Sequence, residues 1–556
     1  MNVNSSNYHH PTPWDASFEP MTLPDMLARS VAHDDGAPLL HFLGRTYSYG
    51  DIHAEARRFA AGLVAMGIEQ GDRIGLFLPN VPIYASAYYG AMMAGAIVVN
   101  FSPLYSVEEL SWQVGDSGTK ALVTLDVPEL YDTASKVLHA SGLETLIVGQ
   151  LSTMLPWIKG TALKMFKRSQ IADVDWSDNT FSWGEMLKTW PEDEPTLDRI
   201  EDLALLQYTG GTTGRPKGAM LGHSQLSINA QQVASINPHN DPRKEVFMGA
   251  LPFFHVFANT ALLNHAVASG ASIAMVPRFE TRQVLQTIQQ YKATGFPGVP
   301  TMFQAMLDHP DLAKTDLSSL RVCISGGAPM PAPVHEKFEA VTGVRVVEGY
   351  GLTESSGVVS ANPYEGVRKK GTIGQLVPGT HIILLDKEDP TQLAPDGEPG
   401  ELAVHGPQIM RGYWNRPETQ AETFVERDGK SWLRTGDVAV MDEDGFLKIV
   451  DRIKDMISVG GFKVFPSAVE DVVLQHEAVK EALVIGVPEE YRGEVPRAYV
   501  TLEADSGADV GADTLKDWLN ERIGKHERVD EVVIRSELPK TIIGKLDRKA
   551  LRAEVL

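Results

Sequence analysis

Apolar residues recur along this 556-residue chain in two rhythms. Short β-branched runs such as Arg73-Ile-Gly-Leu-Phe-Leu, Ala121-Leu-Val-Thr-Leu and Arg321-Val-Cys-Ile-Ser alternate with stretches whose apolar positions follow helical spacing. That alternation predicts an α/β fold of layered, mostly parallel sheets through about the first 380 residues. Two stretches, 74–107 and 246–276, carry no Asp, Glu, Lys or Arg. Both contain Gly, Pro, Asn and Ser, and neither offers the roughly 18 to 20 continuous apolar residues of a membrane span. They predict buried helix followed by buried strand, with Ala94-Gly-Ala-Ile-Val-Val-Asn-Phe as one such exit.

The texture changes near Thr380. Turn signals at Pro395-Asp-Gly and Asp442-Glu-Asp-Gly445 lie between short apolar runs, which predicts a small β-rich subdomain over about 380–450. A boundary is expected at Asp451–Lys454. Beyond it, Ser467-Ala-Val-Glu470 has the form of a capping box opening a helix toward His476. Ala482-Leu-Val-Ile-Gly and Arg497-Ala-Tyr-Val-Thr-Leu read as strands, and 504–512 as a loop. The expected organisation is a domain over 1–450, a hinge at 451–454 and a second domain over 455–556.

Composition narrows the function classes. The chain is 43% apolar, enough for large cores, and its net charge of −22 leaves no basic face for nucleic acid. A single cysteine, Cys323, excludes an intramolecular disulfide and fits a cytoplasmic location. The first 20 residues are polar, without the apolar core of a signal peptide. One window opposes the overall charge: between Glu144 and Asp173 there is no acidic residue. Within it, at helical spacing, Ile158, Ala162, Met165 and Phe166 share one side, and Lys164, Lys167 and Arg168 the other. With Trp157 suited to a headgroup boundary, residues 155–168 are a candidate for peripheral contact with the inner face of a membrane.

Residues 208–218 read Tyr-Thr-Gly-Gly-Thr-Thr-Gly-Arg-Pro-Lys-Gly, after the apolar run Leu203-Ala-Leu-Leu. Glycines let backbone N–H groups approach a ligand closely, threonines add hydroxyl donors, and Arg215 and Lys217 add positive charge. A strand delivering such a loop suits a polyphosphate. The pattern is not a Walker A motif, because Lys217 follows Pro216 and precedes Gly218.

This loop resembles the phosphate loop of the adenylate-forming enzymes: acyl-CoA synthetases, luciferases and the adenylation domains of peptide synthetases. Tyr350-Gly-Leu-Thr-Glu354, Trp432-Leu-Arg-Thr-Gly-Asp437, Asp451-Arg-Ile-Lys454, Gly460-Gly-Phe-Lys463 and Leu538-Pro-Lys-Thr-Ile-Ile-Gly-Lys545 match further family motifs in the family's order. The resemblance covers nearly the whole chain. Within the superfamily, Leu251-Pro-Phe-Phe-His-Val-Phe and Pro407-Gln-Ile-Met-Arg-Gly-Tyr-Trp look most like bacterial long-chain fatty-acyl-CoA synthetases. Ile453-Lys454, where many fatty-acyl members have two basic residues, and Lys430-Ser431 before Trp432 depart from that pattern.

The resemblance implies a two-step reaction. A fatty acid attacks ATP to give acyl-AMP and pyrophosphate, and CoA then takes the acyl group. It implies Mg²⁺ as cofactor, with Glu354 as its ligand and Thr353 at the α-phosphate. Thr209, Gly210, Gly211, Thr212, Thr213, Gly214 and Lys217 would hold phosphates. Gly327, Ala328, Pro329, Gly349, Tyr350 and Gly351 would border adenine, with Tyr350 stacking. Asp437 would accept the ribose hydroxyls, helped by Arg452. Lys545 would serve the first half-reaction, presented by a mobile α+β C-terminal domain. Lys454 would be the hinge residue, Gly460, Gly461 and Phe462 would line the CoA tunnel, and His255 would gate the acyl pocket. A homodimer is a candidate assembly.

Alternatives stay open at this point: a medium-chain or aryl acid:CoA ligase, an acyl-AMP ligase loading a carrier protein, or a non-catalytic acyl- or nucleotide-binding relative. Other chemistries lack their signatures. There is no His-Glu-x-x-His, no cysteine pair, no calcium-loop spacing and no Gly-x-Ser-x-Gly elbow.

Overall fold

The computed structural model describes residues 7–189, 200–209, 215–239, 241, 243–460, 462–503, 510–541 and 544–556. These form four sheets. The first has seven strands in the order Thr180–Ser182, Thr145–Gly149, Thr119–Leu125, Arg73–Phe77, Ile97–Phe101, Leu203–Thr209 and Lys217–Gly222. All pairs are parallel except the last. Ile97–Phe101 is buried at every position, which is why it reads as an unbroken apolar run.

The uncharged stretch after Ile74 contains the helix Pro82–Met93, buried at all of its positions. Its tyrosines satisfy their hydroxyls inside the core. Tyr84 donates to Asn100 Oδ1 (2.8 Å), Tyr88 to Asn259 Oδ1 (2.9 Å) and Tyr89 to Asn264 Oδ1 (3.0 Å). Asn100 donates in turn to Gln207 Oε1 (3.0 Å), and Gln207 to the Phe254 carbonyl (3.0 Å). The strand entering the phosphate loop is thereby tied to the segment carrying His255. Just beyond His255 the helix widens to a π-helical stretch over Asn259–Asn264, a form found often at functional sites.

The second sheet has nine strands. Six consecutive ones are parallel: Arg345–Tyr350, Val322–Gly326, Gly295–Gly298, Val246–Gly249, Ser272–Met275 and Pro38–Phe42. Their carboxyl ends carry Gly326 and Tyr350, the side on which open α/β sheets bind ligands. The third sheet is the small β-rich unit, with His381–Leu385, Gly400–His405, Lys430–Met441, Phe424–Arg427 and Leu447–Arg452. Asp442–Gly445 forms its expected hairpin turn, with Gly445 at φ +78°.

The fourth sheet follows Arg452, and the apolar clusters around Ile457 and Leu483 share no residue with those before it. One expectation here is corrected. Helix Pro466–Val473 is not opened by a Ser467/Glu470 capping box: its N-cap is Phe465, which gives no side-chain bond. Pro466 at the first helical position removes a donor. The Ser467 amide donates to Asp451 Oδ2 (2.8 Å), and Glu470 points inward, accepting from the Val484 amide (2.6 Å) and Arg548 (2.7 Å). In the expected 504–512 loop, 504–509 lie outside the described residues and a helix begins at Ala512. Among the described residues, no helix is long and apolar enough to cross a membrane.

Candidate active site

A cleft of about 1980 Å³ opens where the carboxyl ends of the second sheet, the phosphate strand, the third sheet and the C-terminal unit meet. Thr209, Lys217, His255, Gly327, Ala328, Pro329, Gly349, Tyr350, Gly351, Thr353, Glu354, Asp437, Arg452, Lys454 and Lys545 all line it. Sites far apart in sequence thus converge. Gly210, Gly211, Thr212, Thr213, Gly214 and Gly461, expected at the site, lie outside the described residues. Gly460 and Phe462 stand away from the cleft. Gly460 turns a short hairpin at φ +55°, and Phe462 is exposed, stacked on His526 at 5.4 Å.

Asp437 sits opposite Arg452 across a strand pair and is almost fully buried. Its Oδ1 accepts from Arg452 Nε (2.9 Å) and its Oδ2 from the Tyr350 hydroxyl (2.5 Å). Burial, reinforced by the neighbouring Asp437 charge, pushes the Tyr350 hydroxyl well up, so it remains a donor. The hydroxyl therefore fixes the carboxylate while the ring lines the cleft. Each carboxylate oxygen keeps a second lone pair for a ligand hydroxyl.

Lys545 hangs from a tight turn. The Thr541 amide donates to the Lys545 carbonyl (2.6 Å), the Gly544 amide to the Thr541 carbonyl (2.8 Å), and the Lys545 amide to Thr541 Oγ1 (3.1 Å). Gly544 takes φ +81°, which only glycine adopts without strain. The Lys545 side chain lies directly on Gly327: a Cβ there would stand 2.6 Å from its Cε and 2.9 Å from its Nζ. Burial, followed by repulsion from Arg452, lowers the ammonium to about 8 against a partial lift from Asp437. Beside it, His255 accepts from the Phe257 amide (3.3 Å). Burial and then Lys545 push its ring down to about 3, so it is neutral at physiological pH.

An ion pair ties the C-terminal unit to the helix that ends near Asp308. Lys480 pairs with Asp308 (2.8 Å). Arg548, partly buried, ties the start of the C-terminal unit to its helix and sheet: it donates to the Val484 carbonyl (3.0 Å), Asp455 (2.8 Å) and Glu470 (2.7 Å). Sequence reasoning had no cue for Arg548, which sits in an otherwise basic, surface-like run.

At the phosphate end, Lys217 lies over the Tyr413 ring at 5.1 Å, and the Tyr413 hydroxyl donates to Glu354 Oε1 (2.6 Å). The Glu354 carbonyl accepts from the Met410 amide (2.8 Å). Arg215 lies over Trp112 at 5.5 Å. Tyr413 is not among the expected site residues; its only signal in the sequence is the Met410-Arg-Gly-Tyr run. Among the described residues no group of three or more His, Cys, Asp or Glu is placed to hold a metal. A lone carboxylate at Glu354 fits Mg²⁺, which keeps several waters and is bound through one or two carboxylates plus substrate phosphates.

The cleft also runs down the sheet. Rows set by strand register line one face: Gly326 with Gly349, then Ile324 with Pro297, then Val322 with Gly295 and Phe247. Val233, Ile236, Ala261 and Tyr364 face them, and the far end reaches Glu245, Thr294 and Arg321. Glu245 there accepts from Arg321 (2.5 Å) and Thr294 Oγ1 (2.7 Å). From Gly326 to Val322 is roughly 13 Å of strand. One cleft therefore joins a cation- and carboxylate-bearing end to a mostly apolar arm.

Residues 27–414 match the family of AMP-binding enzymes, and residues 468–545 match the AMP-binding enzyme C-terminal domain. The chain belongs to the AMP-binding enzyme family. This AMP-binding enzyme is 37% identical over 553 residues to the long-chain-fatty-acid–CoA ligase of Bacillus subtilis (strain 168), covering 99% of this chain and 97% of that one. It is 32% identical over 524 residues to 4-coumarate–CoA ligase 4 of Arabidopsis thaliana, covering 92% and 87%. Its fold matches the crystal structure of ATP-bound MatB from Rhodopseudomonas palustris with a TM-score of 0.83 at 29% identity, covering 96% and 99% of the two chains.

Proposed function

We propose that this AMP-binding enzyme is an acid–thiol ligase that activates a long-chain fatty acid with ATP and passes the acyl group to CoA. The observation that carries the reading is the single cleft in which Lys545 lies on Gly327 between the Asp437 pair and the apolar arm. Near-full-length likeness to a long-chain-fatty-acid–CoA ligase supports the choice of acid.

In the first step a carboxylate oxygen attacks the α-phosphorus of ATP. An O–P bond forms, the bond to the bridging oxygen breaks, and pyrophosphate leaves. The Lys545 ammonium reaches both carboxylate and α-phosphate and offsets their repulsion, a preorganised electrostatic contribution. Asp437 holds the ribose hydroxyls, oriented by Tyr350 and Arg452. Thr353 touches the α-phosphate, and Thr209 to Lys217 hold the outer phosphates. Glu354, aimed by Tyr413, would hold Mg²⁺. That ion, when bound, neutralises charge on the phosphate oxygens. Neutral His255 borders the arm without adding a second cation beside Lys545.

In the second step the CoA thiolate attacks the acyl carbon, the C–O bond breaks, and AMP leaves with an oxygen that came from the acid. Rotation of the C-terminal unit about Lys454 would withdraw Lys545 and bring Gly460, Gly461 and Phe462 toward the cleft as the tunnel for the thiol. The place of Gly460 and Phe462 outside the cleft is in keeping with an adenylating pose. Cys323, free and buried, is in keeping with a reducing cytoplasm. The aryl and medium-chain readings differ only in what fills the arm. A panel of acids from acetate through 4-coumarate to oleate, assayed for AMP and CoA-thioester, tests the choice. Oleate should give the highest kcat/KM; a preference for 4-coumarate or for acids shorter than the arm would replace the long-chain reading.

A further inference from the structure

The helix Trp157–Phe166 is amphipathic, but it is mounted with its apolar side outward. At 3.6 residues per turn, Trp157, Thr161, Met165, Ile158, Ala162 and Phe166 follow one another across one half of the circumference. Gly160 and Leu163 occupy the opposite half, and they alone on the helix are buried. Trp157 is 81% exposed, Ile158 74%, Met165 68% and Phe166 80%. Other exposed large apolar side chains, such as Val64, Leu104 and Val341, stand singly along the chain. The sequence pattern gave this stripe, and the structure shows that it does not face the core.

The mounting is fixed from beneath. A Cβ on Gly160 would overlap the Ser152 carbonyl oxygen, so glycine is what lets the helix lie this close to the preceding turn. The hairpin Leu40–Tyr47 holds that turn: Arg45 donates to the Thr153 carbonyl (2.6 Å), the Tyr47 hydroxyl to the Met154 carbonyl (2.8 Å), and Lys159 Nζ to the Leu43 carbonyl (2.7 Å). Lys164 borders one edge of the apolar arc, and Lys167 and Arg168 follow the helix end, all exposed.

We propose that this helix is a docking face for an anionic lipid surface. Charge selects the occupant. The chain as a whole carries −22, yet residues 145–172 contain four lysines or arginines and no acid. An acidic molecule can approach an anionic leaflet only through such a window. A flat apolar arc with a tryptophan at one end and cations at its edge fits the headgroup and acyl boundary. A second copy of the chain fits poorly, because a two-fold contact pairs the patch with itself, and residues 145–172 supply no acid to meet Lys164, Lys167 and Arg168. The inference does not depend on which acid is activated.

The test is co-sedimentation of the full chain with vesicles of phosphatidylcholine alone and of phosphatidylcholine mixed with phosphatidylglycerol, at low and high salt. Binding should require the anionic lipid and weaken with salt. Trp157→Ser combined with Phe166→Ser should abolish it. Changing Lys164, Lys167 and Arg168 together to Gln should lower the partition about a hundredfold, near fivefold per charge. Both variants should keep wild-type thioester formation with a short, water-soluble acid, which controls for folding. Vesicle binding unchanged in the folded variants, or no binding of the wild type to anionic vesicles, would overturn the proposal. So would a change in the vesicle-free sedimentation coefficient of the Ser variant, which would mark the face as an interface between copies.

Discussion

Lys545→Ala should slow adenylation sharply while sparing acyl transfer from preformed acyl-AMP to CoA. In the structure the ammonium is buried against Gly327, with its pKa moved from its ordinary 10.5 to about 8. Holding it charged therefore costs roughly 3 kcal/mol at neutral pH. The alanine variant loses that cost along with the stem's packing on Gly327, and a thermal melt beside the rate assay separates stability from chemistry. In the reaction, one positive charge about 4 Å from the transferring group at an effective dielectric near 20 is worth about 4 kcal/mol. Part of this is already felt in the ground state, so a loss of about 10²- to 10³-fold in the adenylation rate is expected, the size seen when one preorganised donor is removed. The pH profile follows from the same shift. The lowered pKa means that the ammonium is present below pH 8 and lost above it. In the adenylation half-reaction, kcat/KM for ATP, which reads the free enzyme, should fall through a limb near pH 8. In kcat the limb should move higher, because bound polyphosphate favours the charged form. Acid-dependent pyrophosphate exchange measures the first step, and single-turnover transfer from preformed acyl-AMP to CoA measures the second. Equal losses in the two steps, or an alkaline limb in the wild type that persists in Lys545→Ala, would refute the reasoning.

Asp437→Ala removes the acceptor of Tyr350 and Arg452 and both proposed ribose bonds, each worth roughly 1.5–3 kcal/mol. KM for ATP should rise at least tenfold, and an unchanged value in a folded variant would contradict the assignment. Tyr413→Phe deletes the hydroxyl that aims Glu354, so the Mg²⁺ concentration for half-maximal rate should rise about tenfold, the lower end for loss of an outer-shell partner; a metal titration checks this. Ala261→Trp fills the apolar arm, so activity should fall steeply with oleate and stay near wild type with a short acid; parallel losses across chain lengths would place the acyl group elsewhere.

The sequence exposed what depends on local pattern. Strand runs at Leu203 and Val322 and the turn at Asp442–Gly445 are signals carried by neighbouring residues, and each lies where expected. What it hid depends on partners far along the chain. Ser467 and Glu470 have capping-box spacing, but Asp451 and Arg548 claim them. Tyr413 matters through Glu354, 59 residues away. A periodic stripe such as Ile158, Ala162, Met165 and Phe166 has the same spacing whether it faces core or solvent. Only the close approach at Gly160 decides between them.

The account's central claim is that the acid's own oxygen bonds to the α-phosphorus and departs with AMP. The direct measurement is turnover of a fatty acid carrying a heavy-oxygen label in its carboxylate, in the presence of ATP and CoA, with mass analysis of the nucleotide product. AMP should bear one labelled oxygen per thioester formed, with unlabelled pyrophosphate. Unlabelled AMP, or ADP and phosphate in place of AMP and pyrophosphate, would contradict it.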